Sequence, residues 1–333
     1  MTAKTKRIGT ENPWSGVFAA TLCPFNADYS IDAEGLRAYA RYLAEVDGMK
    51  GLVCNGHTGE VMGLRTAERA EVTRIFAEEV GRRSETSPNE KTTPNKKRVK
   101  IVSGVCTEGS FEAIDHALAA KEAGADAILL MPPHHWLRFG RDSRTAVGFF
   151  ADVAAGAAMP LIVHQYPDWT KACYSLDEML AMTEIPQVVA IKMGTRNMAR
   201  LGHDYRVLKA KAPDIPILTC HDEYLLASLL AGADGALVGF AGFVPELIVA
   251  LVRAALAGDL AQAQEVQESV YPLARLVYRF GEPSSDAHQR MKAAMTLQGR
   301  FPSMVVRPPL RPLSDADMAR IKQELTAAGY DIQ

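Results

Sequence analysis

Lys192 is the residue in this sequence with the most reactive potential, because it closes the apolar run Val188-Val189-Ala190-Ile191. An ammonium at the end of such a run loses hydration, and desolvation favours the neutral amine. A neutral amine can attack a ketone and form a Schiff base. The protonated iminium then draws electrons and permits C–C cleavage or proton loss beside the former carbonyl. A lysine that merely ends a strand and reaches solvent or a carboxylate would occupy the same place, since buried lysines are often simply paired. Five of the eight histidines, His57, His134, His135, His164 and His221, fall at the ends of other apolar runs. Each could transfer a proton near neutral pH, several together could bind a metal, and a single one could be a hydrogen-bonded structural group. The stretch Asn55-Gly56-His57-Thr58-Gly59-Glu60 could turn backbone N–H groups and the Thr58 hydroxyl toward an anion such as a carboxylate. It also reads as a plain tight turn. It is too short for a nucleotide P-loop and lacks the lysine that follows one.

The elements that must position these groups are short apolar runs alternating with helical patterns. Strands are predicted at 17–21, 51–55, 100–104, 127–131, 161–165, 188–192, 216–219 and 235–238, several of them continuously apolar as in parallel strands buried on both faces. Helices are predicted at 31–46 after Ser30, 66–80, 110–123 ending at Gly124, 144–155, 175–183, 196–212 and 222–231 ending at Gly232. This alternation predicts an α/β fold, a (β/α)8 barrel. A doubly wound open sheet is disfavoured because no glycine-rich phosphate loop follows the first strand. Residues 1–14 read as an N-terminal tail and 15–245 as the barrel, with a polar insertion at 82–98. Residues 246–333 read as a C-terminal helical region that breaks at Gly258-Asp259, its last helix capped by Ser314. In a barrel the reactive groups gather at the C-terminal ends of the strands, where the lysine and all five histidines fall.

Composition narrows the partners. Among 333 residues, 37 basic and 39 acidic side chains nearly balance, which argues against a nucleic-acid or anionic-membrane binder. No apolar run is long enough to span a bilayer, and the first fourteen residues lack the apolar segment of a secretory signal. An odd count of five cysteines without a C-x-x-C pair suggests reduced thiols and a cytoplasmic location.

In order along the chain, "GVFAATLCPF", "GLVCNGHTGE", "GADAILLMPPHHW", "PLIVHQYP", "VVAIKMGT", "ILTCHDEYLLASLLAGADGALVG" and "RPPLRPLS" resemble the landmarks of the dihydrodipicolinate synthase / N-acetylneuraminate lyase family, from about Trp14 to Gly329. The resemblance implies a barrel with a C-terminal helical extension, assembled as a dimer or tetramer. It implies a Schiff base on Lys192, with no metal and no organic cofactor, acting on a small-molecule 2-oxo acid by aldol chemistry or dehydration. Thr58 and the His57 backbone N–H would hold the substrate carboxylate, and Leu237 on the eighth strand would line the site. The family's proton-relay tyrosine on strand five is His164 here, which makes His164 the expected general acid/base, with Tyr166 two residues on as the alternative phenol. A tyrosine pair after strand four is replaced by His134 and His135, and His135 would reach a neighbouring subunit. An arginine that clamps the second substrate's carboxylate in the synthase is Trp169. An indole cannot make that clamp, so the lysine-pathway reaction is disfavoured. Trp169, Trp136 and Phe139 instead suggest an aromatic distal pocket suited to an aryl-substituted or sugar-derived 2-oxo acid. Two other classes compete with this reading. A metal-dependent barrel hydrolase would use the histidines, although Thr21-Leu22-Cys23 stands where such enzymes begin with H-x-H. A non-catalytic 2-oxo acid binding protein would bind without turnover.

Overall fold

The computed structural model describes residues 12–85, 98–279 and 286–332. Eight parallel strands close a barrel in sequence order. They are β1 Gly16–Ala20, β2 Met49–Cys54, β3 Lys100–Val105, β4 Ala127–Leu130, β5 Leu161–Gln165, β6 Val188–Met193, β7 Ile217–Thr219 and β8 Gly235–Val238. The helices are α1 Ala33–Glu45, α2 Thr66–Glu85, α3 Ser110–Glu122, α4 His135–Phe139, α5 Ser143–Ala157, α6 Leu176–Thr183, α7 Met198–Lys211, α8 Leu225–Ala231, α9 Phe240–Phe243, α10 Pro245–Ala257, α11 Leu260–Tyr278, α12 Ala287–Leu297 and α13 Asp315–Ala327. The continuously apolar strands follow from burial on both faces. In β5, Leu161 and Val163 pack outward against the helices, while Ile162 joins an inner cluster with Phe18, Ala190, Leu218 and Leu237.

Helix α1 begins two residues later than Ser30 suggested, because the Asp32 carboxylate accepts the Gly35 N–H at 2.9 Å. The Ser30 hydroxyl instead donates to Asp28 at 2.6 Å. Ser175 and Glu178 form a reciprocal capping box on α6, and Ser314 caps α13. The stops at Gly124 (φ +95°) and Gly232 (φ +128°) use backbone conformations that side chains resist.

Two features change the outline drawn from sequence. Trp14 is buried, not part of a tail. It stacks on Phe18 at 6.3 Å, and the Lys100 ammonium lies 4.5 Å from its ring centroid, so it plugs the barrel end where β1 begins. Helix α10 packs on β1 and β8, so the ring's last helix lies beyond residue 245. Helices α11, α12 and α13 pack in succession beside the barrel. Most of the polar insertion expected at 82–98 lies outside the described residues. All five cysteines are free thiols, and among the described residues no helix is long and apolar enough to cross a membrane.

Candidate active site

Strand periodicity delivers the reactive groups. Alternate residues face inward, so the positions after Ile162 and Ala190 on the inner face are His164 and Lys192, which are register partners across β5 and β6. Burial pushes the Lys192 amine below its ordinary pKa, while Cys220 and Asp222 oppose that shift. Among the described residues Lys192 forms no ion pair, unlike the buried Lys209 and Lys292, which are matched with Asp234 and Glu60. Of the two roles open to such a lysine, the geometry favours a nucleophile over a paired structural cation. His164 is buried, and it is held well below the usual imidazole range by burial first, then by the positive ends of Lys192 and His57. Its Nδ1 has no hydrogen-bond partner among the described residues.

The loop after β2 is a compact turn. Asn55 (φ +54°) opens it and Glu60 (φ +56°) closes it. The Gly59, Glu60 and Val61 amides bond back to Gly56, His57 and Gly56 oxygens at 3.0–3.2 Å. Asn55 is held by its amide group donating to Arg69 O, Thr73 Oγ1 and Ser103 Oγ at 2.8–3.0 Å. The His57 and Thr58 N–H groups have no protein acceptor among the described residues, which leaves two adjacent donors beside the Thr58 hydroxyl. This is a nest suited to a carboxylate. Glu60 ties the turn to the C-terminal region. Its carboxylate pairs with the fully buried Lys292 of α12 and accepts the Arg307 N–H at 3.2 Å, while Arg307 also chelates Glu68 at 2.6 and 2.8 Å.

A second set of polar groups meets across the mouth. The Tyr166 hydroxyl lies 3.0 Å from His57 Nε2 and 3.1 Å from His134 Nε2, and His134 Nε2 is 3.6 Å from Cys106 Sγ. The ring of Tyr166 meets His164 edge-on at 5.0 Å. Tyr166 and His164 therefore share one pocket. His57 keeps solvent-accessible surface at the mouth. Desolvation by the protein atoms around its ring lowers its pKa to about 3, with Lys192, His134 and His288 adding to the effect. Opposite stands Asp222, whose burial raises its pKa to about 6 despite a 2.5 Å bond from the Tyr278 hydroxyl and a 2.9 Å bond from the Phe240 N–H. A Cβ placed on Gly239 would meet Met291 Cε at 3.1 Å and lie in ordinary contact with Thr58 Oγ1 at 3.5 Å and Asp222 Oδ2 at 3.6 Å.

Five expected positions lie outside this cluster. Leu237 has no accessible surface and packs inside the apolar plug, so it supports the site without facing a ligand. His135, expected to reach a neighbouring subunit, lies on the surface and bonds Glu108 at 2.7 Å, because α4 starts there and rotates only His134 inward. Trp169 stands 65% exposed and Phe139 70% exposed, while Trp136 is buried against Phe149. The aromatic distal pocket expected from these three rings is therefore not assembled. Asp222, Tyr278, Lys292 and the Cys106–His134 contact were missed. Asp222 stood in the strand-end phrase "TCHDE" and carried a signal, whereas Tyr278 and Lys292 come from helices outside the barrel and carried none.

The chain belongs to the dihydrodipicolinate synthetase family, whose model matches residues 13–328. It is an enzyme of the lyase class, and members of this family act through a Schiff base. Among curated relatives, it is 30% identical to the 4-hydroxy-tetrahydrodipicolinate synthase of Maridesulfovibrio salexigens, over 95% of this chain and 99% of that one. It is likewise 30% identical to the synthase of Neisseria meningitidis, over 94% and 98%. Among solved structures, dihydrodipicolinate synthase from Aquifex aeolicus superposes with a TM-score of 0.82 at 23% identity, over 96% of this chain and all of that one. The E. coli K12 prophage protein YagE, solved in complex with pyruvate, superposes with a TM-score of 0.83 at 24% identity, over 95% and 99%.

Proposed function

We propose that Lys192 condenses with the C2 ketone of pyruvate or a pyruvate-derived 2-oxo acid, and that the enzyme makes or breaks the bond at the adjacent carbon. One observation carries the reading. An unpaired, desolvated amine stands in register with a neutral imidazole and close to a nest whose two N–H groups have no protein acceptor among the described residues. Attack of the amine on the ketone expels water and leaves an iminium, which stabilises the carbanion that develops beside it. The nest and the Thr58 hydroxyl hold the carboxylate. His164, with an orphaned Nδ1, receives and returns the proton. Tyr166 shares that pocket, with its hydroxyl within hydrogen-bond reach of His57 and His134.

Trp169 offers no guanidinium to a second carboxylate, which favours a second substrate, or leaving fragment, without a charged group at that end. The relatives' synthase name supports the opposite choice. Reduction with borohydride in the presence of pyruvate is expected to add a pyruvate-derived mass to Lys192, and an unmodified lysine in folded protein would overturn the reading. Turnover is expected to be faster with an uncharged aldehyde than with one carrying a carboxylate, and the reverse order would restore the synthase assignment. We place the enzyme in a reducing compartment because its five thiols are free. A homo-oligomer, dimer or tetramer, is expected by sedimentation.

A further inference from the structure

The mouth holds a donor set that the Schiff-base reaction does not use. His57, Cys106 and His134 each offer one ligand atom, and the three atoms all lie within 4.8 Å of one another. We infer that these residues form a binding site for a thiophilic d10 metal ion, Zn²⁺ or Cu⁺, with the Tyr166 hydroxyl at the fourth corner.

Metal–ligand geometry supports this. Zinc takes nitrogen at about 2.05 Å and sulfur at about 2.3 Å, so two such donors at a tetrahedral angle stand about 3.5 Å apart. His134 Nε2 and Cys106 Sγ are 3.6 Å apart. A nitrogen and an oxygen donor would stand about 3.3 Å apart by the same construction, and the Tyr166 hydroxyl lies 3.0 and 3.1 Å from the His57 and His134 nitrogens. The rings of His57 and His134 are stacked 5.9 Å apart and only 15° from parallel, with both Nε2 atoms directed at the same phenol. Two elements hold the donors in place. Glu108 accepts the backbone N–H of His134 at 3.2 Å, and Arg69 donates to the Cys106 carbonyl at 3.1 Å. The accessible surface of His57 gives an entry path, and Cys106 is buried, as a metal thiolate usually is. Soft and borderline ions choose such an imidazole–thiolate set, and hard ions such as Mg²⁺ do not. The Met62 thioether, 3.8 Å from Cys106 Sγ, distinguishes the two candidates, since thioether ligation suits Cu⁺ and not Zn²⁺.

Binding displaces the Cys106 thiol proton to solvent and needs no redox partner. It also fixes His57 beside the carboxylate nest, so an occupied site would obstruct the 2-oxo acid. That consequence rests on the proposed function, whereas the binding does not.

The test is titration of the reduced, metal-free full chain with Co²⁺ as a coloured stand-in for Zn²⁺, and with Cu⁺ under anaerobic conditions. One equivalent is expected to bind with intense tetrahedral d–d absorption and a thiolate-to-cobalt charge-transfer band. Cys106→Ser should abolish that band and weaken binding at least about tenfold, and His134→Gln should weaken it comparably while the thermal melt stays intact. Tighter Cu⁺ binding that falls in Met62→Leu assigns copper, and no effect of Met62→Leu assigns zinc. The absence of stoichiometric binding, or binding unchanged in Cys106→Ser and His134→Gln, would overturn the site. Borohydride trapping at Lys192 in the metal-free parent chain separates failure of this site from failure of the Schiff-base reading: an adduct in a parent chain that binds no metal sinks the site alone.

Discussion

The two ends of the barrel interior are built from the same strands and behave in opposite ways. Toward the strand N-termini the interior is a dry plug of Trp14, Phe18, Val53, Val102, Leu129, Ile162, Ala190, Leu218 and Leu237. Toward the C-termini it carries Lys192, His164, His57 and Asp222, with orphaned nitrogens on His164 and His221. On β5 and β6 the change happens between residues two apart, Ile162 to His164 and Ala190 to Lys192, a step of about 6.6 Å along a strand. Stability and chemistry are thus separated by one inward-facing layer. The plug supplies the apolar burial that allows the mouth to keep polar groups unsatisfied, and those groups are then free to meet a substrate.

That division can be broken first at the mouth. Lys192→Ala should remove the borohydride adduct altogether and cost at least about 10³-fold in kcat/KM, with the melting transition retained. A variant that kept its activity would show that no covalent intermediate forms there. His164→Asn should retain the adduct while lowering kcat by about 10²–10⁴-fold, and Tyr166→Phe should lower it less. If the order of those two losses were reversed, the acid/base would be the phenol and not the imidazole.

Breaking the plug should do the converse. Phe18→Ala removes a ring with no accessible surface and should cost about 3–5 kcal/mol in denaturant unfolding. The folded fraction should trap pyruvate as the parent does. A large loss of trapping per folded molecule would mean that the two layers are not independent.

The subtlest distinction is pH. His57 and His221 are held neutral in the folded protein down to about pH 3, and the unfolded chain protonates them near 6.5. The unfolded state therefore binds more protons in that window, and the stability they contribute is present above pH 6.5 and lost as the pH falls toward 3. Asp222 has the opposite sign. Its folded pKa of about 6 exceeds the ordinary 3.8, so its contribution is present below 3.8 and lost as the pH rises through 6. Urea titrations should show a shallower acid limb in His221→Gln. Asp222→Asn should gain stability relative to the parent between pH 4 and 6. Limbs parallel to the parent in both would show that these groups are solvated.

The chain's own pattern determined the eight strands, their parallel pairing and the place of Lys192, because burial on both faces writes a continuous apolar run and the period of two fixes which residue comes next on the inner face. It also determined the Ser314 cap and the glycine stops, which are local. It misplaced the Asp32 cap and the tail boundary at Trp14, because the first depended on which of two nearby acceptors the backbone reached and the second on a ring finding Phe18. The folded chain alone decided that His134 and not His135 turns inward, that Leu237 is closed off, and that Asp222 meets Tyr278 and Glu60 meets Lys292. Those contacts join residues up to 232 positions apart. A side chain's direction at the end of a strand or the start of a short helix is set by what it packs against, and no local pattern encodes a neighbour so far along the chain.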